Sequence, residues 1–426
     1  MKFVLACYGS RGDVEPSAAI GRELLHRGHG VHMAVAPDLV GFVESAGIAV
    51  VAFGPDLQSF VEAQRKFQNG TDSLRNFWKI RDQIRLKREA RELHTQCWRQ
   101  ISATLMPLSD GADLLFTGLT YEEVAANVAE YHDIPLATLH HYPIRANSQL
   151  PSILPPPLLR QAMTMNEWLL YWQVLKKVED TQRRELGLPR ARTPTQRRIA
   201  KRGSLEIQAY DEFCFPGLAT EWAKWGGQRP FVGAVAMELT TDADDEVTSW
   251  IAAGTPPICF SLGSTPVESP ADTVEMISEA CSQLGERALI CAGGTDVGDV
   301  PRVDDHVMLV GAANYAATFP ACRAIVHHGG SGTTAASLRA GVPTLILWTW
   351  PDQAIWGAQL DKLKVGTARR FSTTTLESLI ADLRQVLAPK YLTRAREIAT
   401  RMSKPAESTR RAADLLESFA RATRFA

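Results

Sequence analysis

Short apolar runs that end in glycine, each followed by a segment with a helical apolar face, recur along both halves of this 426-residue chain. In the first such unit, residues 2–9 (KFVLACYG) precede a stretch in which Ile20 and Leu24 mark one helical face, and residues 30–37 (GVHMAVAP) form the next run. A strand, a glycine loop, a helix and a second strand make one βαβ unit. Because parallel strands need a crossover connection of this kind, the pattern predicts a parallel sheet covered by helices.

The alternation restarts in the second half, so the fold class is predicted to be α/β with two Rossmann-like, doubly wound domains. The predicted order is a first domain, a linker, a second domain and closing helices that either stay with the second domain or return to the first. The corresponding boundaries are 1–215, 216–232, 233–385 and 386–426. Ligands in such sheets bind at the carboxyl ends of the strands, which favours a site in a cleft between the domains.

Composition and charge exclude several classes of protein. The formal net charge of −1 gives no general attraction to nucleic acid, so no nucleic-acid partner is expected. Seven cysteines without a CxxC pair indicate reduced thiols. The first residues lack a signal-peptide pattern, and no apolar stretch approaches the roughly 18 residues of a membrane span. The sequence therefore predicts a cytoplasmic protein.

The sequence HHGGSGTT at 327–334 carries the strongest functional signal. It follows an apolar run and precedes a helical segment, so its glycines let backbone amides approach an anion at a helix N-terminus. His328, Ser331 and Thr333 add side-chain donors. The loop has no P-loop lysine, which argues against a nucleoside triphosphate with magnesium and favours a diphosphate. A glycine turn needed only for packing is the alternative.

This loop, followed by Asp352 and Gln353, resembles that of the nucleotide-sugar-dependent glycosyltransferases of family 1. Those enzymes have the GT-B fold, in which two Rossmann-like domains face each other across a cleft. GSRGDVEP at 9–16 and FSLGS at 260–264 extend the resemblance over nearly the whole chain. The chain is most similar to the bacterial branch that includes glycopeptide-antibiotic and sterol glycosyltransferases. Four segments resemble mycobacterial glycosyltransferases of the glycopeptidolipid type, namely 1–16, 207–211, 231–239 and 250–257.

The resemblance implies that the first domain binds the acceptor and the second domain binds the nucleotide sugar. Asp352 and Gln353 would then hydrogen-bond hydroxyl groups of the donor sugar. The residues implied for nucleotide-diphosphate binding are Ser261, Gly263, Ser264, Val310, Ala312, His328, Gly330, Ser331, Gly332 and Thr333. The resemblance implies no metal ion and no cofactor besides the nucleotide sugar, which is a substrate.

Two positions differ from the pattern of plant relatives. Val310 stands where they have a tryptophan, and Ala336, eight residues after His328, stands where they have a glutamate that reads the ribose hydroxyls. A ribose without its 2′-hydroxyl has no need of that glutamate, so a dTDP-sugar is favoured over a UDP-sugar. The alternative is that another residue reads the ribose.

Asp13 in GSRGDVEP is implied as the base that takes the acceptor proton, because the matching aspartate has that proposed role in the bacterial branch. Aspartate is also a favoured N-cap, so capping of a helix that begins near Val14 is an alternative and compatible role. Ser10 is a weaker candidate for positioning the acceptor. The implied enzyme is a hexosyltransferase, with a 6-deoxyhexose among the candidate sugars, that inverts the anomeric carbon in a single displacement without a metal.

The acceptor side is expected to be hydrophobic. His140, His141 and Tyr142 follow a strand end and are expected to face the cleft. The aromatic residues of 166–175 (NEWLLYWQVL) would suit a lipid or lipopeptide acceptor, as in glycolipid biosynthesis, although core packing is the commoner role of such residues. The basic stretch 79–103 indicates either contact with the inner face of a membrane or a solvated, salt-bridged helix.

Other functions fit the sequence less well. A non-catalytic nucleotide-sugar-binding protein of the same fold has no need of Asp13, and a glycosyltransferase of soluble natural products differs in its acceptor alone. A nicotinamide dehydrogenase is excluded because GSRG at 9–12 lacks G-x-G-x-x-G and the second strand does not end in an acidic residue.

Overall fold

Two parallel six-stranded sheets form the framework of the computed structural model, which describes residues 1–57, 80–237, 241, 243–263, 269–293 and 306–424. The first sheet contains β1 (Lys2–Cys7), β2 (Gly30–Val35), β3 (Ala49–Ala52), β4 (Leu114–Thr117), β5 (Leu136–His140) and β6 (Leu205–Gln208). The second sheet contains β7 (Ile258–Ser261), β8 (Ala288–Cys291), β9 (Val307–Val310), β10 (Ala324–His327), β11 (Thr344–Trp348) and β12 (Gly366–Arg370). Every pair of neighbouring strands is parallel, as the βαβ pattern predicts.

Both sheets have the same strand order. The strands lie in the order β3-β2-β1-β4-β5-β6 in the first sheet and β12-β11-β10-β7-β8-β9 in the second. Each order is that of the Rossmann fold, and each reverses direction at one point: between β1 and β4, and between β7 and β10. The predicted α/β fold with two Rossmann-like domains is therefore confirmed.

Helices connect the strands and cover both sheets. The helices are α1 (Arg11–His26), α2 (Val40–Ser45), α3 (Ile80–Leu108), α4 (Glu122–His132), α5 (Pro156–Leu170), α6 (Lys176–Glu185), α7 (Thr195–Lys201), α8 (Leu218–Trp222), α9 (Asp244–Ala252), α10 (Pro270–Leu284), α11 (Tyr315–Thr318), α12 (Ser331–Ala340), α13 (Pro351–Leu363), α14 (Leu376–Val386), α15 (Pro389–Ala399) and α16 (Pro405–Arg424). A π-helical turn, Tyr171–Leu175, joins α5 to α6. Within the described ranges, no helix has both the length and the apolar character needed to span a bilayer.

The C-terminal helix α16 lies against the first domain, beside α1. Leu416 is fully buried in the same apolar cluster as Phe3 of β1. At the rim of this contact, Arg27 donates to the carboxylate of Asp414 at 2.6 Å. The last helix thus completes the core of the domain in which the chain begins.

An aromatic cluster joins the two domains. Tyr210 and Phe215, which follow β6, make edge-to-face contacts with Trp356 of α13, with ring centroids 6.3 and 5.2 Å apart. Ser403 donates to Asp211 through its backbone N–H at 2.9 Å, which links the same region to the chain just before α16. These contacts join α13 and the segment before α16 to the residues that follow β6.

A buried ion network lies beneath the loop that follows β5. The guanidinium of Arg145 donates to Glu206 at 2.5 Å and to Glu122 at 2.6 Å, and Arg229 donates to the other oxygen of Glu206. All of these side chains are less than a tenth exposed. Burial raises the pKa of Glu122, but the charges and hydrogen bonds of Arg145 and His140 together outweigh burial and lower that pKa to about 2. The network fixes the loop after β5 to the sheet.

We expect Arg145→Met to lower the free energy of unfolding by about 3–5 kcal/mol, because it leaves two buried carboxylates without their shared cation. Denaturant unfolding followed by tryptophan fluorescence measures the loss. Arg384→Met, at an exposed arginine of α14, is the matched control and should be near neutral. Adding Glu122→Gln to Arg145→Met should restore part of the loss, and a double variant no more stable than the single one would contradict the electrostatic explanation.

Candidate active site

The loop after β1 places one carboxylate at the reversal point of the first sheet. Ser10 is the N-cap of α1 and Asp13 is the third residue of that helix. One carboxylate oxygen of Asp13 accepts hydrogen bonds from the backbone N–H of Ser10 at 2.8 Å and from its hydroxyl at 3.0 Å. The helix therefore begins at Arg11, and the expectation that Asp13 itself is the cap of a helix near Val14 is wrong.

Gly9 makes room for this carboxylate. A Cβ atom at Gly9 would lie 2.4 Å from Oδ2 of Asp13, and its φ of +145° is a backbone conformation that other residues rarely adopt. Oδ2 is held by Ser10, whereas Oδ1 makes no hydrogen bond to any described residue. The second oxygen is thus left for a ligand.

The carboxyl groups of Asp13 and Asp352 come from different domains and influence each other. Asp13 is half-buried, and burial raises the pKa of its carboxyl group to about 6; the bonds from Ser10 oppose this rise and the negative charge of Asp352 adds to it. Burial likewise raises the pKa of Asp352. A carboxylate whose pKa is about 6 is mostly ionised at neutral pH and is more basic than an ordinary aspartate.

The imidazole of His328 is enclosed by two glycines at the reversal point of the second sheet. A Cβ atom at Gly263, after β7, would lie 2.5 Å from Cε1 of the ring, and one at Gly330 would lie 2.5 Å from Nε2. Burial lowers the pKa of His328 to about 4, so the ring is neutral at pH 7. Its Nδ1 is buried and has no hydrogen-bond partner among the described residues.

The neighbouring His327 has a different role. It is buried, and its Nδ1 accepts a hydrogen bond from the backbone N–H of Gly329 at 2.9 Å, which shapes the loop. The two consecutive histidines therefore divide their tasks: His327 fixes the backbone, and His328 presents its ring at the carboxyl edge of the sheet.

Helix α12 begins immediately after this ring, with Gly330 as its N-cap. Ser331, Gly332 and Thr333 form its first turn and are exposed or half-exposed. Amides in the first turn have no acceptor within the helix, and the helix dipole adds partial positive charge there. The predicted anion-binding residues of this loop are thus placed together beside His328.

Asp352 and Gln353 occupy the first turn of α13, at the same edge. The side-chain oxygen of Gln353 accepts hydrogen bonds from the backbone N–H groups of Thr349 and Trp350 at 2.8 and 3.0 Å. Its NH₂ group makes no hydrogen bond to a described residue. The expectation that this amide acts on a ligand as both donor and acceptor is therefore corrected: the oxygen is committed to the helix start, and the donor alone is available.

Other residues predicted for nucleotide binding differ in their surroundings. The hydroxyl of Ser261 is buried and lies 2.6 Å from the hydroxyl of Tyr315, so it is already paired. Val310 is buried as the last residue of β9, and Ala312 is exposed just beyond it at the carboxyl edge. Ser264 lies outside the described residues.

The residues predicted at the end of β5 have different surroundings: His140 is the last residue of the strand, and His141 and Tyr142 follow it. His140 is fully buried, with its Nε2 3.2 Å from Glu122 and its Nδ1 3.3 Å from Gln208, so the expectation that it faces the cleft is wrong. His141 is also buried, which lowers the pKa of its ring to about 4. Tyr142 is half-buried near both Asp13 and Asp352, whose charges join burial in raising the pKa of its phenol.

Two residues of the site region, Tyr315 and Arg145, were not predicted from the sequence. Tyr315 stacks on Phe319 with ring centroids 4.4 Å apart and bonds to Ser261 at the mouth of the second sheet. Its position soon after β9 is a signal that the sequence does offer. Arg145 holds the loop that carries Tyr142, and no local pattern distinguishes it from a surface arginine.

Two family models match this chain. The model of the glycosyltransferase family 28 N-terminal domain matches residues 3–100, and that of the erythromycin biosynthesis protein CIII-like C-terminal domain matches residues 273–417. These ranges contain the loop of Asp13 and the loop of His328, respectively. The fold and the matched domains define a GT-B glycosyltransferase.

Relatives and solved structures agree with this class. An uncharacterized glycosyltransferase of Mycobacterium tuberculosis is 60% identical over the full length of both chains. A sterol 3-beta-glucosyltransferase of Arabidopsis thaliana is 26% identical, over 94% of this chain and 65% of its own. The crystal structure of the glycosyltransferase of kitacinnamycin matches with a TM-score of 0.70 at 18% identity, covering 98% of both chains. That of VinC in complex with dTDP matches with a TM-score of 0.64 at 18% identity, covering 99% and 100%. The chain therefore belongs to the bacterial family 1-like glycosyltransferases.

We expect Gly330→Ala to displace the imidazole of His328, because the new methyl carbon would lie 2.5 Å from its Nε2. Since a side chain can move where backbone cannot, the fold should survive while affinity for dTDP falls roughly tenfold, the loss of about one hydrogen bond. Isothermal titration calorimetry with dTDP measures the change. Gly41→Ala, at a helical glycine with no atom within 4 Å of the added carbon, is the control. Equal affinities in the two variants would show that the ring position does not matter for binding.

Proposed function

We propose that this glycosyltransferase moves a hexosyl group from a dTDP-sugar to a hydroxyl group of a lipid-like or lipopeptide acceptor, with inversion at the anomeric carbon. The observation that carries the proposal is that Asp13 and the His328 loop lie at the carboxyl edges of two Rossmann-like sheets, with Asp352 of the second sheet's edge near enough to raise the pKa of Asp13. Asp13 would act as base on the acceptor, and the His328 loop would receive the departing diphosphate. No step of this scheme requires a metal ion.

The diphosphate would be held by neutral donors. His328 would donate to a phosphate oxygen, and the first-turn amides of α12 would supply further N–H groups. A buried, unpaired nitrogen costs about 1–3 kcal/mol, and a phosphate oxygen at His328 would relieve that cost for its Nδ1 if that atom carries the proton. Because these donors are fixed before the reaction, they favour the leaving group as its negative charge develops.

The donor sugar would lie between the two domains, against the first turn of α13. Asp352 would accept hydrogen bonds from sugar hydroxyls, and the NH₂ group of Gln353 would donate one. Asp13 faces the same space from the other domain, so its free oxygen would lie on the acceptor side of the anomeric carbon. This arrangement suits attack from the face opposite the diphosphate, which inverts the configuration.

The preference for dTDP rests on Ala336 and its neighbours. Ala336 lies on α12 and packs against the cluster that contains Val310 and Tyr315, next to the segment expected to hold the nucleotide base. A methyl group there offers no acceptor to a 2′-hydroxyl. VinC, a neighbour in fold, was crystallised with dTDP, which is compatible with this choice.

We expect the protein to bind dTDP more tightly than UDP, and Ala336→Glu to reverse the preference by giving the 2′-hydroxyl a carboxylate partner. A hydrogen bond to a charged group contributes about 1.5–3 kcal/mol, so UDP affinity should rise roughly tenfold or more. Thermal-shift and calorimetric titrations with both nucleotides measure this. Ala340→Glu, on the same helix but beyond the loop, is the matched control. An unchanged ratio of the two affinities in Ala336→Glu would remove this residue from the ribose site.

We expect Asp13→Asn to lower kcat about 10²–10⁴-fold while dTDP binding survives, because the amide cannot accept the acceptor proton. In the wild type, the pKa of about 6 predicts that kcat/KM falls tenfold per pH unit below about pH 6, as the base becomes protonated. The pH profile of transfer is the measurement. Near-normal turnover of Asp13→Asn would show that another group is the base. A non-catalytic binding protein would show neither transfer nor slow hydrolysis of a dTDP-sugar in the wild type.

Asp352→Asn tests whether the acidic limb of the pH profile reports the carboxyl group of Asp13 or a general loss of activity in acid. Removing the negative charge of Asp352 should lower the pKa of Asp13. The acidic limb of the pH profile should therefore move to lower pH, even where kcat itself falls. Asp361→Asn, an exposed position on the same helix, should leave the limb unchanged.

The proposed acceptor class rests on the exposed apolar segment that follows the loop of Tyr142. Tyr142 and the residues up to Leu154 lead from the end of β5 to an exposed apolar helix. The sterol 3-beta-glucosyltransferase named above is a relative that, by its name, acts on a lipid. A panel of amphiphilic alcohols against soluble glycosides of similar size, assayed with one dTDP-sugar, tests the class.

A further inference from the structure

The exposed apolar side chains of this protein are concentrated in one segment. Of the ten large apolar residues that are exposed in the described part of the chain, eight lie between Ile153 and Val174. Ile153 is fully exposed, Met165 is 61% exposed and Trp172 is 54% exposed. An apolar surface of this density on a protein usually marks a contact with a partner or a lipid surface.

Helix α5 presents this surface as a stripe. None of its residues is buried, although its sequence is apolar on balance. Leu158, Met165 and Leu169 of α5 follow one another at spacings of seven and four residues, which puts them on the same helical face, and the exposed Trp172 follows in the π-helical turn. A helix with such a face ordinarily packs it against the core, and here the face points to solvent.

The helix is anchored at its far end, by the π-helical turn. Tyr171 and Leu175 are buried there, and the Tyr171 hydroxyl donates to the carbonyl of Ala191. Arg197 lies over the ring of Trp168 at 5.3 Å, which supports the middle of the helix from the side. The stripe is therefore held in a fixed orientation without being covered.

Exposed basic side chains, called the basic rim below, are frequent on α5 and in the segment that follows it. Between residues 153 and 197, six exposed side chains are basic and one, Glu185, is acidic. The six are Arg160, Lys177, Arg184, Arg190, Arg192 and Arg197. Two further acidic residues are half-buried: Asp180 is paired with Lys176 at 2.7 Å, and Glu167 of α5 is under the influence of Arg145 and Arg197. The charge that remains favours an anionic partner.

We propose that the face of α5 with its basic rim docks on an anionic lipid bilayer, with the apolar stripe inserted among the headgroups. An apolar helical face beside a basic one is the arrangement that binds such an interface. A second copy of the chain is a poorer occupant, because a two-fold contact would bring the two basic rims together. The surface differs from the basic stretch 79–103 considered above, whose side chains are outside the description through residue 91.

Docking here would place the cleft beside the lipid. The loop that starts at Tyr142, near Asp13 and Asp352, runs directly into Pro156 at the start of α5. An acceptor anchored in the bilayer would have a short path to the cleft. The docking itself does not depend on the proposed transfer reaction, since it needs neither donor nor acceptor.

Flotation with two kinds of vesicle tests the proposal: phosphatidylcholine alone, and equal parts phosphatidylcholine and phosphatidylglycerol. The full-length protein should float with the acidic vesicles in preference to the neutral ones. The triple variant Met165→Ser, Leu169→Ser, Trp172→Ser should bind the acidic vesicles roughly a hundredfold more weakly, because three exposed apolar groups no longer insert. The matched control is Val51→Ser with Tyr131→Ser, which removes exposed apolar side chains elsewhere and should bind like the wild type.

Charge is tested separately. Arg160→Gln, Lys177→Gln and Arg192→Gln should each weaken binding to acidic vesicles about fivefold, and binding should weaken as salt rises. Arg384→Gln, Lys390→Gln and Arg411→Gln remove exposed charges from the helices α14, α15 and α16 and serve as controls.

Three results would overturn the proposal: no binding of the wild type to acidic vesicles, equal binding of the triple variant, or a dimer in sedimentation velocity that the triple variant abolishes. All of the substituted side chains are exposed, so thermal unfolding should be unchanged and loss of the fold can be excluded directly. Asp13→Asn should bind vesicles normally. Vesicle binding by that inactive variant separates the docking surface from the catalytic proposal.

Discussion

The packing of the His328 imidazole between Gly263 and Gly330 is the contact on which the second half of the site depends. The two glycines follow β7 and β10, which are neighbours in the sheet although two strands separate them in sequence. A side chain larger than hydrogen at either glycine would occupy the place of the ring. The contact therefore holds the uncharged ring of His328 beside the start of α12, at the reversal point of the sheet.

The first half of the site depends on a different constraint, the buried ion network of Arg145. Two glutamates from α4 and β6 converge on one guanidinium, and the loop that carries the arginine is thereby fixed. The same loop brings Tyr142 to the edge where Asp13 lies. Burial of so many charges contributes little to net stability, but each partner makes removal of the others costly. A loop held in this way takes a position that its own sequence does not specify.

The sequence predicts those features of the fold and the site that depend on a local pattern of residues. Strand runs, glycine loops and their order along the chain are enough to predict two Rossmann-like sheets, because crossover handedness and strand order leave few alternatives. The loops of Asp13 and His328 are likewise local and could be found. His140 could not be placed, because whether a residue at a strand end faces the cleft or a buried network depends on Glu122 and Gln208, distant in sequence. The prediction for Gln353 was incomplete for a related reason. Its side-chain oxygen accepts hydrogen bonds from backbone N–H groups just before α13, and the sequence gives no sign of these bonds.

The electrostatics of the two edges also differ in a way that bears on the order of events. The loop of His328 offers an uncharged ring, because burial lowers the pKa of His328 to about 4, whereas burial and the negative charge of Asp352 raise the pKa of Asp13 to about 6. Like charges across a gap oppose its closure. In the proposed scheme, hydroxyl groups of a donor sugar would donate to Asp352 and so reduce the repulsion between the two carboxyl groups. Asp13 would then be left as the base. In the proposed scheme the donor would therefore bind before the acceptor, because without the donor the acceptor hydroxyl would meet two carboxyl groups and no anomeric carbon to attack.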